Sequence, residues 1–409
     1  YSFSQIREMS TRELNRSLEA MWSEIKSIGS SSHIEVHTKD VSVEAKDYRN
    51  KRTFSMLPSY LNVAFIHELK PDNSNWIRAH EEGSLYLEKT MGDQVVVQRF
   101  AGVGTGEMAE KAMEIAIKNG AEIIFATTAP MIRACRRVAA RHPEVKIFNC
   151  SVCMPYTEVR TYYSRIYEGK FISGAIAGAI TESDDIGYIA SYPIYGVPAG
   201  INAFALGAQL TRPGAKIHLK WSCTESDPVK ELREKKIDVI SSLDIPQQTS
   251  QNGQWGTFRL DSNGEAELIA SPYWDWGAFY VQITRSFLSR EWDASIFGKR
   301  EDHAVNYWWG IASGVVGLRW TDKIPDGTKA LANLLKEGIK DGSVDPFLRK
   351  IVSQDAVIRN DGKKVFSAEE ILRMDWLCEN VYGSIPGFDE LSEKGQAITR
   401  LQGIYRDQI

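Results

Sequence analysis

Residues 161–209 read TYYSRIYEGKFISGAIAGAITESDDIGYIASYPIYGVPAGINAFALGAQ, and the order of elements in this stretch decides the fold. Ile172, Ile176 and Ile180 recur every four residues, which is helical spacing. Ser173, Gly174, Ala175, Ala177, Gly178 and Ala179 lie among them. Glycine lowers intrinsic helix stability, so this composition predicts a second backbone lying close against the helix. After a polar turn, GYIAS is a short apolar run of strand type. SYPIYG is a loop, because Pro193 and Gly196 break regular structure. INAFALGAQ is a second helix. Helix, strand, loop, helix is an α/β unit whose ligand-facing loop follows the strand.

The rhythm continues on both sides. Upstream, LNVAFIHEL, QVVVQRF, AEIIFATTA and VKIFNCS are strands. NWIRAHEEGSLYLEKTMG, TGEMAEKAMEIAIKNG and MIRACRRVAARHP are helices between them. Downstream, IGYIAS, KIHLKWS and IDVISSL form a second strand series. Strands alternating with helices imply parallel sheets. Two such series joined by crossing segments predict a bilobed protein, with lobe 1 at 61–160, lobe 2 at 161–270 and about 270–409 shared between them. Residues 1–60 stand apart as an N-terminal helical extension and linker, with Leu14, Leu18, Met21 and Ile25 at helical spacing.

Composition narrows the function. The chain has 409 residues, 43% hydrophobic and 25% charged, within the ordinary globular range. A net charge of −4 provides no basic field for a nucleic-acid backbone. No apolar run reaches the ~20 residues of a membrane helix. The chain begins at Tyr1 with no signal-peptide pattern or lipobox cysteine ahead of the fold; either an export signal has been removed or the chain is a piece of a longer one. Five cysteines are too sparse for a disulfide framework. Cys150 and Cys153 form a C-x-x-C that follows an apolar run and precedes Pro155. With no second ligand pair nearby, they are expected to be structural thiols, with no metal.

Ligands of parallel α/β sheets bind outside the carboxyl ends of the strands. At those ends stand ELKPDNSNWIRAH, TTAPM, CSVCMPYTEVRTYY, SYPIYG, WSCTESD, SSLDIPQ and SPYWDWGAFY. Trp76 and Trp276 each sit where a strand yields to a helix, beside polar side chains. Two aromatic faces with an amide or carboxylate suit a planar heteroaromatic ring. No G-x-S-x-G, H-E-x-x-H or Walker A pattern occurs. The glycine-rich run from Gly102 to Gly106 lacks the Lys-Ser/Thr ending of a phosphate loop and reads as a tight turn.

With these motifs in place, the chain resembles the basic membrane protein (Bmp/Med/PnrA-like) substrate-binding proteins of ABC transporters, and most of all their purine-binding branch. The resemblance runs in order through NWIRAHEEG, IIFATT, HPEVKI, TYYSRIYEGKFISGAIAGAIT, IGYIASYPIYGVPAGINAFALGAQ, W-D-W-G-x-x-Y, NYWWGIASGVV and MDWLCENVYGSIPG, between about residues 61 and 387. It implies a type I periplasmic-binding-protein fold: two doubly wound parallel-sheet lobes with a hinge, closing on a purine base or nucleoside. It also implies an ABC permease as partner, no cofactor, and a place in the cell envelope. Residue by residue, the motifs carry over Asn73, Trp76, Glu168, Tyr195, Asp275 and Trp276 as ligand contacts. The chain departs from the family around residues 227–261, where Ser242, Asp244 and Asp261 fall.

Two other functions compete with uptake. One is a purine sensor of the same fold within a larger regulatory protein, which the free cysteines and missing signal favour and which would place the chain in the cytoplasm. The other is an enzyme acting on a purine, for which Asp275, Glu158 and Glu168 are the candidate bases.

Overall fold

The computed structural model describes residues 60–150, 158–224, 226–242, 256–260, 265–289 and 306–404. The stripe expected at Leu14, Leu18, Met21 and Ile25 lies outside them, as do Cys153, Asp244 and Asp261. Pro58–Ile409 form one compact unit.

Its first sheet grows from β1 (Leu61–His67), an almost fully buried strand. The helix α1 (Asn75–Met91) follows, started by the Ser74 hydroxyl, which accepts the Ile77 N–H. Then come β2 (Val95–Ala101), α2 (Glu107–Lys118), β3 (Ile123–Ala126), α3 (Ile132–Arg141), β4 (Lys146–Cys150) and β5 (Val159–Ser164). The turn between β2 and α2 is tight: Gly102 and Gly104 have φ of +73° and +67°, and the Val103 and Gly104 N–H groups donate to the carbonyls of His67 and Glu68. That is the turn expected from the glycine-rich run.

The chain then enters a second sheet through α4 (Ile166–Ile180), β6 (Asp185–Ala190), α5 (Val197–Thr211), β7 (Lys216–Trp221), α6 (Pro228–Glu234), β8 (Val239–Ser241), β9 (Thr257–Leu260) and β10 (Ala266–Trp274). The glycines of α4 do what the sequence predicted. A Cβ at Gly174 would lie 2.0 Å from the Phe204 carbonyl oxygen, and one at Gly207 of α5 would lie 1.9 Å from that of Phe171. The two helices therefore pack backbone to backbone.

The remainder is α7 (Trp276–Leu288), β11 (Tyr307–Trp309), β12 (Val316–Trp320), α8 (Asp326–Asp341), the hairpin strands β13 (Lys350–Val352) and β14 (Ile358–Asp361), α9 (Ala368–Leu372), β15 (Val381–Tyr382) and α10 (Glu393–Gln402). The first sheet has the order β11-β5-β4-β3-β1-β2, and every pairing in it is parallel. The second has the order β12-β10-β9-β8-β6-β7-β15. Its β8, β6, β7 and β15 are parallel, whereas β9 pairs antiparallel with both β8 and β10, and β12 antiparallel with β10.

Three passages connect the sheets: β5 to α4, β10 to α7, and β11 to β12. They are bonded to one another. The Arg165 N–H donates to the Trp309 carbonyl at 2.8 Å, and the Asp275 N–H to that of Val315 at 2.8 Å. The Arg165 Nε donates to the Trp308 carbonyl at 3.0 Å. These passages form the hinge.

Candidate functional site

The strand-to-helix junctions deliver the aromatic side chains. Trp76 is the second residue of α1, and its indole N–H donates to the Thr127 carbonyl, 2.9 Å away just past β3. Trp274 ends β10, and its indole N–H donates to Ser164 Oγ at 2.7 Å, at the end of β5. Each ring is thus anchored to the carboxyl edge of the first sheet. Their centroids are 4.8 Å apart and their planes cross at 82°. Tyr163 tilts against Trp76 at 6.4 Å.

Trp276 lies differently from the expectation. It is 1% exposed, stacks on His80 at 4.7 Å with planes 12° apart, and meets Trp76 edge to face at 5.7 Å and 76°. A ring held between two parallel plates needs them about 7 Å apart, twice the ~3.5 Å contact distance. Trp76 and Trp276 are a packed pair, not such a slot. Trp276 is the first residue of α7, and the start of that helix turns it into the core between α1 and α7, while Trp274, the last residue of β10, is the indole bonded at the sheet edge. His80 continues this core: its Nδ1 bonds Tyr280 Oη at 2.6 Å, and burial holds its pKa well below the ordinary value, so it is neutral. His67, which has no obvious partner in the sequence, bonds Thr127 Oγ1 at 2.9 Å and Glu81 Oε2 at 3.0 Å.

The other carried-over residues are placed as follows. Asn73 ends a short 3-10 turn and is exposed, its N–H donating to the Lys70 carbonyl. Tyr195 is buried in the loop after β6, with Arg373 over its ring at 5.8 Å. Asp275 is the N-cap of α7, accepting the Ala278 N–H at 3.1 Å. Glu168, 6% exposed, accepts the Ile311 N–H at 2.7 Å and lies 3.8 Å from Arg165. A Cβ at Gly310 would come within 2.2 Å of its Oε2, so a larger residue there would displace the carboxylate from this position. Burial pushes its carboxyl pKa up to about 7 against the Ile311 and Arg165 contacts that lower it. Asp275 and Glu168 thus spend their carboxylates on a helix cap and the hinge. Glu158 is exposed.

A cavity of about 620 Å³ opens between α1 and the β10 and β12 strands, and Trp274, Asp275 and Trp276 border it together with Asn75, Arg78 and Arg319. At the carboxyl ends of the strands, several buried polar atoms have no hydrogen-bond partner among the described residues. Thr128 Oγ1 and Asn149 Oδ1 belong to the first sheet, and Ser191 Oγ and Ser241 Oγ to the second. Polar groups buried in this way are normally satisfied, so an unpaired set at a cleft points to a ligand or water. Sequence reasoning named TTAPM and SYPIYG as strand ends without choosing Thr128 or Ser191 within them, and passed over Trp274. Trp274 and Trp276 lie two residues apart, a spacing that puts both on one side of an extended strand and so offered no signal to choose between them. Among the described residues no group of three or more His, Cys, Asp or Glu side chains could hold a metal ion, and no helix is long and apolar enough to cross a membrane. Cys150 is buried at the end of β4.

Residues 60–249 match the family described as Bmp, ABC transporter substrate-binding protein PnrA-like, in agreement with the resemblance read from the sequence. A protein named purine-binding protein from Brucella abortus is 27% identical over 308 residues, covering 72% of this chain and 85% of its own. A putative ABC transporter glucose-binding protein from Haloferax volcanii is 25% identical over 299 residues, covering 70% and 73%. Among solved structures, an ABC transporter solute-binding protein from Conexibacter woesei is similar at TM-score 0.52 and 14% identity, covering 70% of this chain and 98% of its own. A transcriptional activator of the comK gene from Bacillus halodurans is similar at TM-score 0.54 and 15% identity, covering 70% and 99%. The periplasmic-binding-protein fold is that of this group.

Proposed function

We propose that this chain, a solute-binding protein of the Bmp type in fold and in its matched segment, captures a purine base or nucleoside between its lobes. The observation that carries the reading is the aromatic corner of Trp76 and Trp274. A planar ring laid on one indole meets the other at right angles, so both a face and an edge of the ligand are recognised. The corner stands at the carboxyl edge of the first sheet, where Thr128 and Asn149 offer unpaired oxygens. Trp76 and Trp274 are 8% and 6% exposed, so the lobes part to admit the ligand. The purine-binding name of one relative supports the choice of ligand.

A sugar is the second reading, favoured by the glucose-binding name of the other relative and by the hydroxyls left unpaired at Ser191 and Ser241. In either case the protein delivers its ligand to an ABC permease outside the cytoplasm. A sensor that binds the same ligand without a permease remains the alternative role, and neither needs catalysis or a cofactor. Mass spectrometry of the ligand that copurifies, followed by calorimetry with adenine, guanine, adenosine, guanosine and glucose, decides the ligand. Binding of glucose alone, or of none of the five, overturns the purine reading.

A further inference from the structure

The C-terminal helix α10 lies beyond the segment that matches the family, which ends at residue 249. Both of its ends are tied to the second sheet. At its start the Ser392 N–H donates to the Cys223 carbonyl at 2.8 Å, just past β7. At its finish the Gln402 carbonyl accepts the Tyr195 N–H at 3.0 Å, and the Ile404 N–H donates to the Pro193 carbonyl at 3.2 Å. Ile194 and Gly403 pair as an antiparallel bridge. These partners belong to the loops at the carboxyl ends of β6 and β7. Between its ends, α10 packs on residues 129–131, the turn that follows β3 of the first sheet. Leu401 lies against the apolar cluster that includes Ala129, Met131 and Ile132.

One helix therefore touches strand-end loops of both sheets. It does so away from the hinge. The hinge passages leave from β5 and β11 at one edge of the first sheet and involve β10 and β12 at one edge of the second, whereas β6 and β7 lie toward the second sheet's opposite edge. The two attachments also differ in kind. The second sheet holds α10 by backbone hydrogen bonds. The contact with the first sheet, among the described residues, is apolar packing around Leu401. Packing of one partly buried leucine is the weaker and more readily reversed of the two.

We propose that α10 is a clasp across the mouth of the cleft, which rides with the second lobe, releases at Leu401 when the lobes part, and so sets the rate of ligand exchange. The exchange-rate part rests on the cleft being the ligand site; the clasp itself does not.

The test uses the full chain in a Cys153→Ser background with spin labels at Lys118→Cys and Glu234→Cys, exposed positions near the ends of α2 and α6. Pulsed electron resonance reads the distance between lobes with Leu401 intact, with Leu401→Ser, and with the chain ended at Leu391. The clasp predicts a narrow distribution for the intact protein and a longer, broader one for both variants. Where purines bind, stopped-flow dissociation should accelerate about tenfold in Leu401→Ser, since changes of this kind act mainly on the off-rate. An unchanged distance distribution in Leu401→Ser overturns the clasp, whether or not the truncated chain folds. Unchanged dissociation despite a longer distance overturns its role in exchange. If no purine binds even the intact protein, the ligand reading fails while the distances still decide the clasp.

Discussion

The carboxylate of Glu168 accepts the backbone N–H of Ile311 at 2.7 Å, tying the passage that enters the second lobe to the passage between β11 and β12. Arg165 and Asp345 are the charged groups acting on it besides the burial that dominates. Its carboxyl titrates at about 7 in the folded protein, against about 4.3 in an unfolded chain. The native state then holds a proton that the unfolded state has lost, so this group's contribution to stability is fully present below about pH 4.3 and falls as pH rises to about 7. The total change is at most about 4 kcal/mol. Urea denaturation across this window should show that slope, and Glu168→Gln, which keeps an acceptor for Ile311 without the charge, should flatten it. An equal slope in the variant would place the titration elsewhere.

Trp76→Ala and Trp274→Ala should each weaken purine binding by about 5- to 150-fold, from stacking worth roughly 1–3 kcal/mol. Calorimetry against the four purine ligands checks this. Wild-type affinity in Trp274→Ala would remove that ring from the site.

Trp276→Ala should act on stability instead. The side chain is fully buried against His80, and removing such an indole costs about 3–5 kcal/mol. Thermal denaturation should report the loss, while the fraction that remains folded binds purines within a few-fold of wild type. A specific loss of affinity without loss of stability would restore Trp276 to the ligand site.

Asp275→Ala removes the α7 cap and should cost about 1 kcal/mol. Asp275→Asn keeps an acceptor for the Ala278 N–H, so it should be nearly neutral for folding. Because Asp275 borders the cavity between α1 and the β10 and β12 strands and asparagine adds a donor, the Asn variant is expected to change the ranking of purines more than the overall affinity. Competition binding with adenine and guanine measures this, and an unaltered ranking would leave Asp275 as a cap alone.

Gly207→Val should be among the most damaging single changes. Its Cβ would meet the Phe171 carbonyl oxygen at 1.9 Å, forcing α4 and α5 apart. Overpacking of this kind typically costs 1–3 kcal/mol or more. Soluble yield and urea midpoint should both fall, whereas Gly327→Val, where a Cβ meets nothing within 4 Å, should leave both nearly unchanged.

Much of the fold was legible because its signals are local. The four-residue recurrence of Ile172, Ile176 and Ile180 marks a helix without reference to anything distant. The density of Gly174 and Gly178 within it announces a close neighbour. Strand and helix alternation from Leu61 onward implies parallel sheets, because a parallel pair needs a crossover between its strands. The antiparallel β9, β10 and β12 were less legible: with strands of four, nine and five residues, their direction depends on which neighbour they reach.

The aromatic corner of Trp76 and Trp274 was only half legible. Trp76 was readable from its place after β1. The choice between Trp274 and Trp276 was not, because it depends on where the chain leaves the second sheet and which way α7 turns its first residue. Glu168 was recognisable as an acidic residue at a lobe junction, but its partner, the N–H of Ile311, is 143 residues away. The clasp was invisible in sequence: α10 contains only two buried positions, Gly395 and Thr399, so no apolar stripe announces what it covers. Local periodicity determined the elements and their order; the pairing of distant polar groups and the facing of individual rings were decided only when the sheets packed, since those contacts join residues whose separation along the chain carries no pattern.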